Sequence, residues 1–486
     1  MQSEHIVKND SDQGKGYLFS VIIPVYNAEK YLEETFDSLT TQSIGFENIE
    51  VILVNDGSPD NSEKVCKDLQ LRYPENVFFI SKPNGGASSA RNEGMKHIHG
   101  RYVNFLDSDD KWNAEAFADA LLFLDNHSEI DVVACRYCYF ERDEGFNHPL
   151  DYKFEKDGIV DIHEKPDHVQ LSMPTCFIRA EALEGVSFDE RLSVSEDTVP
   201  ITEIILKKGK YGVLKDAVYF YRKHDDLQSA IDLSRQNKTW YFDTPEYCYK
   251  RLFKESEEQY GKVIPYIQYL VMYDLQWRIK RPIPEGVLSD EELQNYRNII
   301  RELLLEIDDS VILQQNSMFF AYKLYALNLK HGEDVIKASV KEGNYLCYNG
   351  NKVFPLRAKS RVQLTEVEIN NDIMTVKGTT HFGIIEDTFK LLLTDGTNYA
   401  AGELKKTPER DTLAFDGSVV LGARSFEYKI KIKRGSNLQF ELACPDGDII
   451  VQNIKSAFTE KDCDKYIVKL YKRSLIVEKK GLMSRF

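Results

Sequence analysis

The stretch Phe19-Ser-Val-Ile-Ile-Pro-Val-Tyr-Asn27 decides the fold. Its first five residues are apolar and β-branched apart from Ser20 and the aromatic Phe19, the pattern of a strand buried on both faces, and Pro24 and Asn27 turn it into a loop. Outward from it, the spacing predicts a helix over 29–41 and a second strand in Ile49-Glu-Val-Ile-Leu-Val54. Next come a helix over 62–73, the strand Val77-Phe-Phe-Ile80, a helix over 87–98 and the strand Tyr102-Val-Asn-Phe-Leu106. Strand and helix in alternation predict a mostly parallel sheet covered on both faces. Ligands of such sheets bind beyond the carboxyl ends of the strands, so the loops after Ile23, Val54, Ile80 and Leu106 are expected to line one site.

Beyond this α/β part, residues 18–240, the pattern changes twice. Residues 241–350 read as helices, over 260–279, 290–307 and 317–329, with Pro282 and Pro284 separating the first two. Residues 351–462 read as alternating strands, among them Gln363-Leu-Thr-Glu-Val-Glu-Ile369 and Phe426-Glu-Tyr-Lys-Ile-Lys-Ile432. The turn pairs Asp395-Gly396, Asp416-Gly417 and Asp446-Gly447 lie among them, which predicts an antiparallel sandwich. Residues 1–17 are a polar tail. Residues 463–486 are basic, with seven Lys and Arg from Lys465 onward against Glu478 alone. Such a segment suits contact with a membrane surface, but Tyr466-Ile-Val468 and Leu475-Ile-Val477 read equally well as strands.

The 486 residues carry 62 Lys and Arg against 78 Asp and Glu, a net charge of −16, which argues against a surface that tracks nucleic acid. With 42% hydrophobic residues the chain can build sizeable cores, and no apolar run reaches the ~20 residues of a spanning helix. Eight Cys are too sparse for a disulfide framework and fit a reducing cytosol. Cys135 and Cys138 form a C-x-x-C without a second pair, so a strand position is preferred over a zinc or redox site.

Acidic loops stand where the chemistry is expected. Asp56 follows the second strand, Asp107-Ser-Asp-Asp110 follows the fourth, and Ser195-Glu-Asp197 precedes an apolar helix. Two carboxylates one residue apart at a strand end suit a hard divalent cation that keeps waters and gains phosphate ligands. Asp110 is expected to cap the helix after Trp112, and Trp112 and Tyr137 are weighed as sugar platforms against core positions.

Taken in order, Ser20-Val-Ile-Ile-Pro-Val-Tyr-Asn27, Val54-Asn-Asp-Gly-Ser58, Asn84-Gly-Gly-Ala-Ser-Ser-Ala-Arg-Asn92, Asp107-Ser-Asp-Asp110 and Ser195-Glu-Asp197 resemble the family 2 inverting glycosyltransferases of GT-A fold. The resemblance spans about Phe19 to Ser229, and the helical and β segments behind it resemble those of bacterial wall teichoic acid and capsule glycosyltransferases. It implies transfer of a sugar from a nucleotide donor, usually a UDP-sugar, with Mn²⁺ or Mg²⁺ bridging the diphosphate; UDP-GlcNAc is the donor suggested by analogy.

By the same resemblance Pro24, Tyr26 and Asn27 hold uracil and ribose, and Asp56 hydrogen-bonds the base. Asn84, Gly85, Arg91, Asp107 and Ser108 complete the nucleotide-sugar contacts, with Asp109 and His224 as metal or phosphate ligands. Asp197 corresponds to the catalytic base and Glu196 orients it or reaches the acceptor, while Pro174-Thr175-Cys176 is either an acceptor-side segment or a strand start. The implied acceptor is a glycopolymer or a lipid-linked chain, and the implied place is the cytoplasm, peripherally at the inner face of the membrane. Alternatives are an inactive glycan-binding or scaffold protein, or the transferase fragment of a bifunctional polyol-phosphate polymer synthase. The β segment is expected to bind polymer or to mediate self-association.

Overall fold

A computed structural model describes residues 5–6, 16–141, 148–223, 234–332, 339–341, 345–348, 351–355, 361–381, 390–402, 404–443, 449–456, 460–463, 466–471 and 474–479. The chain divides into two compact units. One contains 1–275, 284–311 and 315–317, and the other 276–283, 312–314 and 318–486.

The first unit is built on one mixed sheet. Its strands are β1 (His5–Ile6), β2 (Phe19–Val25), β3 (Ile49–Asp56), β4 (Val77–Lys82), β5 (Tyr102–Phe105), β6 (Lys111–Trp112), β7 (Val132–Glu141), β8 (Gly158–Asp161), β9 (Cys176–Arg179) and β10 (Lys210–Lys223). They lie in the order β1-β4-β3-β2-β5-β9-β7-β10-β6, with β8 beside β10. Strands β2, β3, β4 and β5 are mutually parallel, whereas β9 runs antiparallel to both β5 and β7. Between them run helices α1 (Leu32–Thr40), α2 (Ser62–Arg72), α3 (Gly86–Met95), α4 (Ala116–Asn126) and α5 (Thr198–Lys208).

Burial explains the strand sequences. All eight residues of β3 and six of seven in β2 are buried, as expected for parallel strands covered on both faces. Pro24 is tolerated in this central strand because of register. Leu18 and Ile22 direct their carbonyls to the β5 side, so Pro24 faces that side too, beyond the last β5 pairing at Ile22–Phe105. Its missing N–H therefore breaks no ladder bond there. The chain continues from β2 to β3 on one side and reaches β5 on the other, so a crevice opens at this switch point.

Phe19, Trp112, Phe117 and Phe177 form edge-on and tilted contacts under the sheet, with centroids 4.8–6.3 Å apart. Trp112 is only 3% exposed, so it belongs to this core and offers no face to a sugar. Asp110 does not cap the following helix either. Its oxygens accept the Arg222 backbone N–H at 2.8 Å and the Tyr219 hydroxyl at 2.7 Å, which binds the loop after β5 to β10.

The helical segment adds α6 (Lys238–Thr244), α7 (Lys250–Tyr260), α8 (Pro265–Ile279), α9 (Asp290–Leu305), α10 (Asp309–Gln314) and α11 (Phe320–His331). The helix predicted from residue 260 begins at Pro265, because Gly261 ends α7 in the left-handed conformation at φ 72°. Ser289 and Glu292 start α9 with a reciprocal capping box.

In the second unit two largely antiparallel sheets share one core. The first orders Lys405–Lys406, Ala423–Lys431, Ile373–His381, Arg361–Asn370 and Asn453–Lys455; the second includes Lys390–Thr394, Asn437–Ala443, Ser474–Lys479 and Tyr466–Tyr471. Val367, Val376, Phe426 and Tyr428 from one meet Leu391, Leu393, Phe440, Val468 and Val477 from the other. The apolar triplets of the basic C-terminal segment are thus strands, with Val468, Leu475 and Val477 fully buried. Among the described residues no helix is long and apolar enough to cross a membrane.

Candidate active site

Because β2, β3, β4 and β5 are parallel, their carboxyl ends bring the first four motifs to one edge. After β2, Tyr26 stands 53% exposed and Asn27 takes φ 53°, a left-handed conformation that Asn adopts more readily than most residues. This loop is fastened to the one after β3, since the Asn27 N–H donates to Ser58 Oγ at 3.3 Å and the Ala28 N–H to Ser62 Oγ at 2.8 Å.

Asp56 is buried at the end of β3 and both its oxygens are engaged. They accept the N–H of Gly85 at 3.0 and 3.1 Å, the N–H of Gly86 at 2.7 Å and Lys82 Nζ at 2.6 Å. The structure thus gives this carboxylate a role at the start of α3 that the motif alone does not suggest. Asn84, Gly85 and Gly86 are exposed on the same rim. Gly86 sits at φ 87° with nothing within 4 Å of where a Cβ would be, so open space lies over its backbone.

Arg91, one buried turn into α3, reaches both acidic motifs. Its Nη2 donates to Asp107 Oδ1 at 2.8 Å and its Nη1 to Glu196 Oε1 at 2.7 Å, and its guanidinium lies 5.4 Å from the Phe188 ring centre. Burial opposes its charge, but Asp107, Glu196 and Asp197 hold it protonated. Residues 91, 107 and 196 are thereby drawn into one ion-paired bridge, which ties α3 to the loop after β5 and to the loop before α5. Burial pushes the Asp107 carboxyl up, against the pull of Arg91. Ser108 and Asp109 follow on this loop, half-buried; the Ser108 carbonyl accepts Thr35 Oγ1 and the Asp109 carbonyl accepts Arg222 Nε.

Asp197 stands at the head of α5, and its Oδ2 accepts the Met173 N–H at 3.0 Å. Burial, then the neighbouring Glu196, push its pKa up to about 7, with Arg91 opposing. Met173 arrives at the same edge because β9 is antiparallel to β5, and Asn104 on β5 donates to the carbonyls of Pro174 and Cys176 at 2.9 Å. Pro174-Thr175-Cys176 therefore leads into a strand, with Thr175 and Cys176 buried. Tyr137 stacks on Tyr221 at 5.3 Å and packs on His148 at 4.9 Å, a half-buried aromatic wall on β7 and β10.

His224 lies outside the described residues, as does most of the loop that follows it. Among the described residues no three His, Cys, Asp or Glu side chains gather as a metal cage. The carboxylate-rich edge nonetheless fits a Mg²⁺ or Mn²⁺ ion that keeps waters and takes substrate phosphates, because such an ion needs only one or two protein carboxylates. Asp109, two residues beyond Asp107 on the D-x-D loop, stands half-buried at this edge.

Lys82, Arg222, Met173 and Asp274 also hold this edge in shape, and sequence reasoning did not single them out as site residues; Ser195, which does so too, was quoted only as the first residue of its motif. Lys82 closes β4 and Arg222 lies in an alternating strand, so both carried a positional signal. Met173 acts through its backbone N–H, which no side-chain pattern reveals.

A parallel α/β half-sheet with acidic loops across its carboxyl edge, followed by helices and a β-sandwich, defines a transferase of GT-A fold. The chain belongs to glycosyl transferase family 2, whose model matches residues 20–186. It is 37% identical over 373 residues to the minor teichoic acid biosynthesis protein GgaB of Bacillus subtilis (strain 168), which is 76% of this chain and 41% of GgaB. This chain therefore spans less than half the length of that relative. The minor teichoic acid biosynthesis protein GgaA of the same organism is 32% identical over 334 residues, 67% of this chain and 74% of GgaA. The fold is shared with crystal structures of S. aureus TarS. One superimposes at TM-score 0.53 and 17% identity over 96% of this chain and 86% of that one. TarS 1-349 in complex with UDP-GlcNAc superimposes at 0.51 and 21% identity, over 69% and 97%.

Proposed function

We propose that this chain transfers a sugar, with inversion, from a UDP-sugar to a hydroxyl of a teichoic-acid-like polymer. The observation that carries the reading is the Arg91 bridge, which brings Asp107 from the D-x-D loop and Glu196, next to Asp197, to one guanidinium. Support for the substrates comes from relatives named for minor teichoic acid biosynthesis and from a neighbour crystallised with UDP-GlcNAc.

In the reaction, the acceptor oxygen attacks the anomeric carbon from the face opposite the diphosphate. A new C–O bond forms there as the bond from that carbon to the β-phosphate oxygen breaks, and its electron pair leaves with UDP. Asp197 takes the acceptor's proton, and a pKa near 7 suits a base working near neutrality. Tyr26 and Asn27 receive the nucleoside, and Arg91 keeps Asp107 and Glu196 from repelling one another across the cleft. Asp109 would hold Mn²⁺ or Mg²⁺, which when bound would supply Lewis-acid relief of charge on the leaving diphosphate.

The polymer acceptor and a cytoplasmic site of action at the inner face of the membrane belong to the same proposal, as do polymer binding or self-association by the second unit. A second reading places this chemistry within a longer protein, favoured by the 41% coverage of GgaB. The test is UDP release from a UDP-sugar panel with Mn²⁺ or Mg²⁺ and teichoic acid acceptor. Turnover by the native chain and its loss in Asp197→Asn are expected. Full turnover by that variant would overturn the base assignment, and glycan binding with no turnover of any donor would favour a scaffold.

A further inference from the structure

The loop that presents Glu196 and Asp197 is held from outside the α/β sheet. On α8 the Oδ2 atom of Asp274 accepts two hydroxyl donors, Ser195 Oγ at 3.2 Å and the phenol of Tyr249. Ser195 stands at φ 58°, where a residue with a Cβ is strained and glycine is preferred. Such a conformation persists only where surrounding contacts over-determine it. Three tethers act on three successive residues. Asp274 holds Ser195, Arg91 holds Glu196 and the Met173 N–H holds Asp197.

We propose that Asp274 is a positioning residue for the base loop, keeping Ser195 left-handed so that the chain leaves it in the direction that turns Glu196 and Asp197 into the cleft. The inference rests on the reading of Asp197 as base. Released from Asp274, Ser195 returns to negative φ, a backbone rotation of roughly 120° if it relaxes into the ordinary α or β region. The following peptide then points elsewhere and the Asp197 carboxylate leaves the Met173 N–H. The chemical step is affected, because an ångström of misplacement at a reacting group costs heavily in rate, whereas the donor contacts on the β2 and β3 loops are untouched.

The test uses the full chain with Ser195→Ala, Asp274→Ala, Asp274→Asn and the double alanine variant. Amide hydrogen exchange over residues 194–199 reports the loop without any substrate, and UDP release from UDP-GlcNAc reports turnover. Both alanine variants are expected to exchange faster in that segment. Each should lower kcat about 10- to 100-fold and leave KM for UDP-GlcNAc within about twofold. The double variant should be no worse than Asp274→Ala alone, because the bond that Ser195→Ala removes is already lost in Asp274→Ala, which also releases Tyr249. Asp274→Asn keeps an acceptor oxygen and should stay within about threefold of native.

Unchanged exchange in Ser195→Ala would overturn the proposal, as would native kcat or losses that multiply in the double variant. Ser195→Ala removes one half-buried oxygen and so decides the matter if Asp274→Ala does not fold. Full turnover by Asp197→Asn, or none by the native chain, would refute the reading of the reaction, and the exchange measurement would still decide the tether.

Discussion

Replacing Asp197 with Asn separates two consequences of one partly buried carboxylate. Burial first, and Glu196 second, raise its pKa to about 7 from the ordinary 3.8. The folded chain therefore holds this proton more tightly than the unfolded chain, so the group favours folding at low pH. That contribution falls as pH rises from 3.8 to 7, and above 7 the protein carries the whole cost of ionising this partly desolvated acid. The gap, 7 − 3.8 = 3.2, corresponds to about 4 kcal/mol at 1.36 kcal/mol per pH unit. An amide has no charge to bury and keeps an oxygen for the Met173 N–H. Asp197→Asn should accordingly be more stable than the native chain by up to about 4 kcal/mol at pH 8 but only about 2 kcal/mol at pH 5. Its transfer rate should fall by about 10²- to 10⁴-fold, the range expected for loss of a general base. In the native chain, kcat/KM should decline as pH drops below about 7, where the base becomes protonated. Urea unfolding of both proteins at pH 5, 6, 7 and 8, paired with UDP release, makes the comparison. A stability difference that does not change with pH, or an amide variant less stable at pH 8, would refute the argument from burial.

Further expectations concern other parts of the chain. Arg91→Ala leaves the half-buried Asp107 and Glu196 without their partner and should cost about 1–3 kcal/mol, read as a lowered melting temperature; an unchanged one would mean that the bridge carries no weight. Asp109→Asn should weaken the dependence of UDP-sugar binding on Mn²⁺, measured by calorimetry with and without chelator. Titrations that still respond to the ion as in the native chain would place the metal elsewhere. Val468→Asp puts an unpaired carboxylate into the sandwich core and should destabilise that unit by several kcal/mol, visible as an earlier β-sheet melting transition by circular dichroism.

The strands β2 to β5 were legible because burial on both faces writes itself as predominantly apolar runs, interrupted only by Ser20, Glu50 and Asn104 ahead of their ends, and their shared direction then placed the four loops together. Boundaries were less so. Gly261 splits the helical reading from residue 260 because a left-handed stop depends on backbone conformation rather than on apolar spacing. Asp110 illustrates the limit at the site. From its neighbours it looks like a cap, but its partners are on β10 more than a hundred residues away, and only the sheet order brings them together. Asp197 could be singled out in the sequence, but not its hydrogen bond to a backbone N–H, which leaves no mark on side-chain pattern. Asp274 was hidden for a similar reason, being the single acid of its helix, with no acidic neighbour to mark it.

The placement of Asp56 also bears on why such a cleft would call for a cation. The first N–H groups of a helix that follows a parallel strand are where many α/β proteins grip phosphate. Here the amides of Gly85 and Gly86 are already answered by the chain's own carboxylate. A diphosphate laid along this rim finds that berth taken by an anion of the same sign. On the proposed reading of the reaction it would be received toward the D-x-D loop, where a divalent ion would stand between two negative partners.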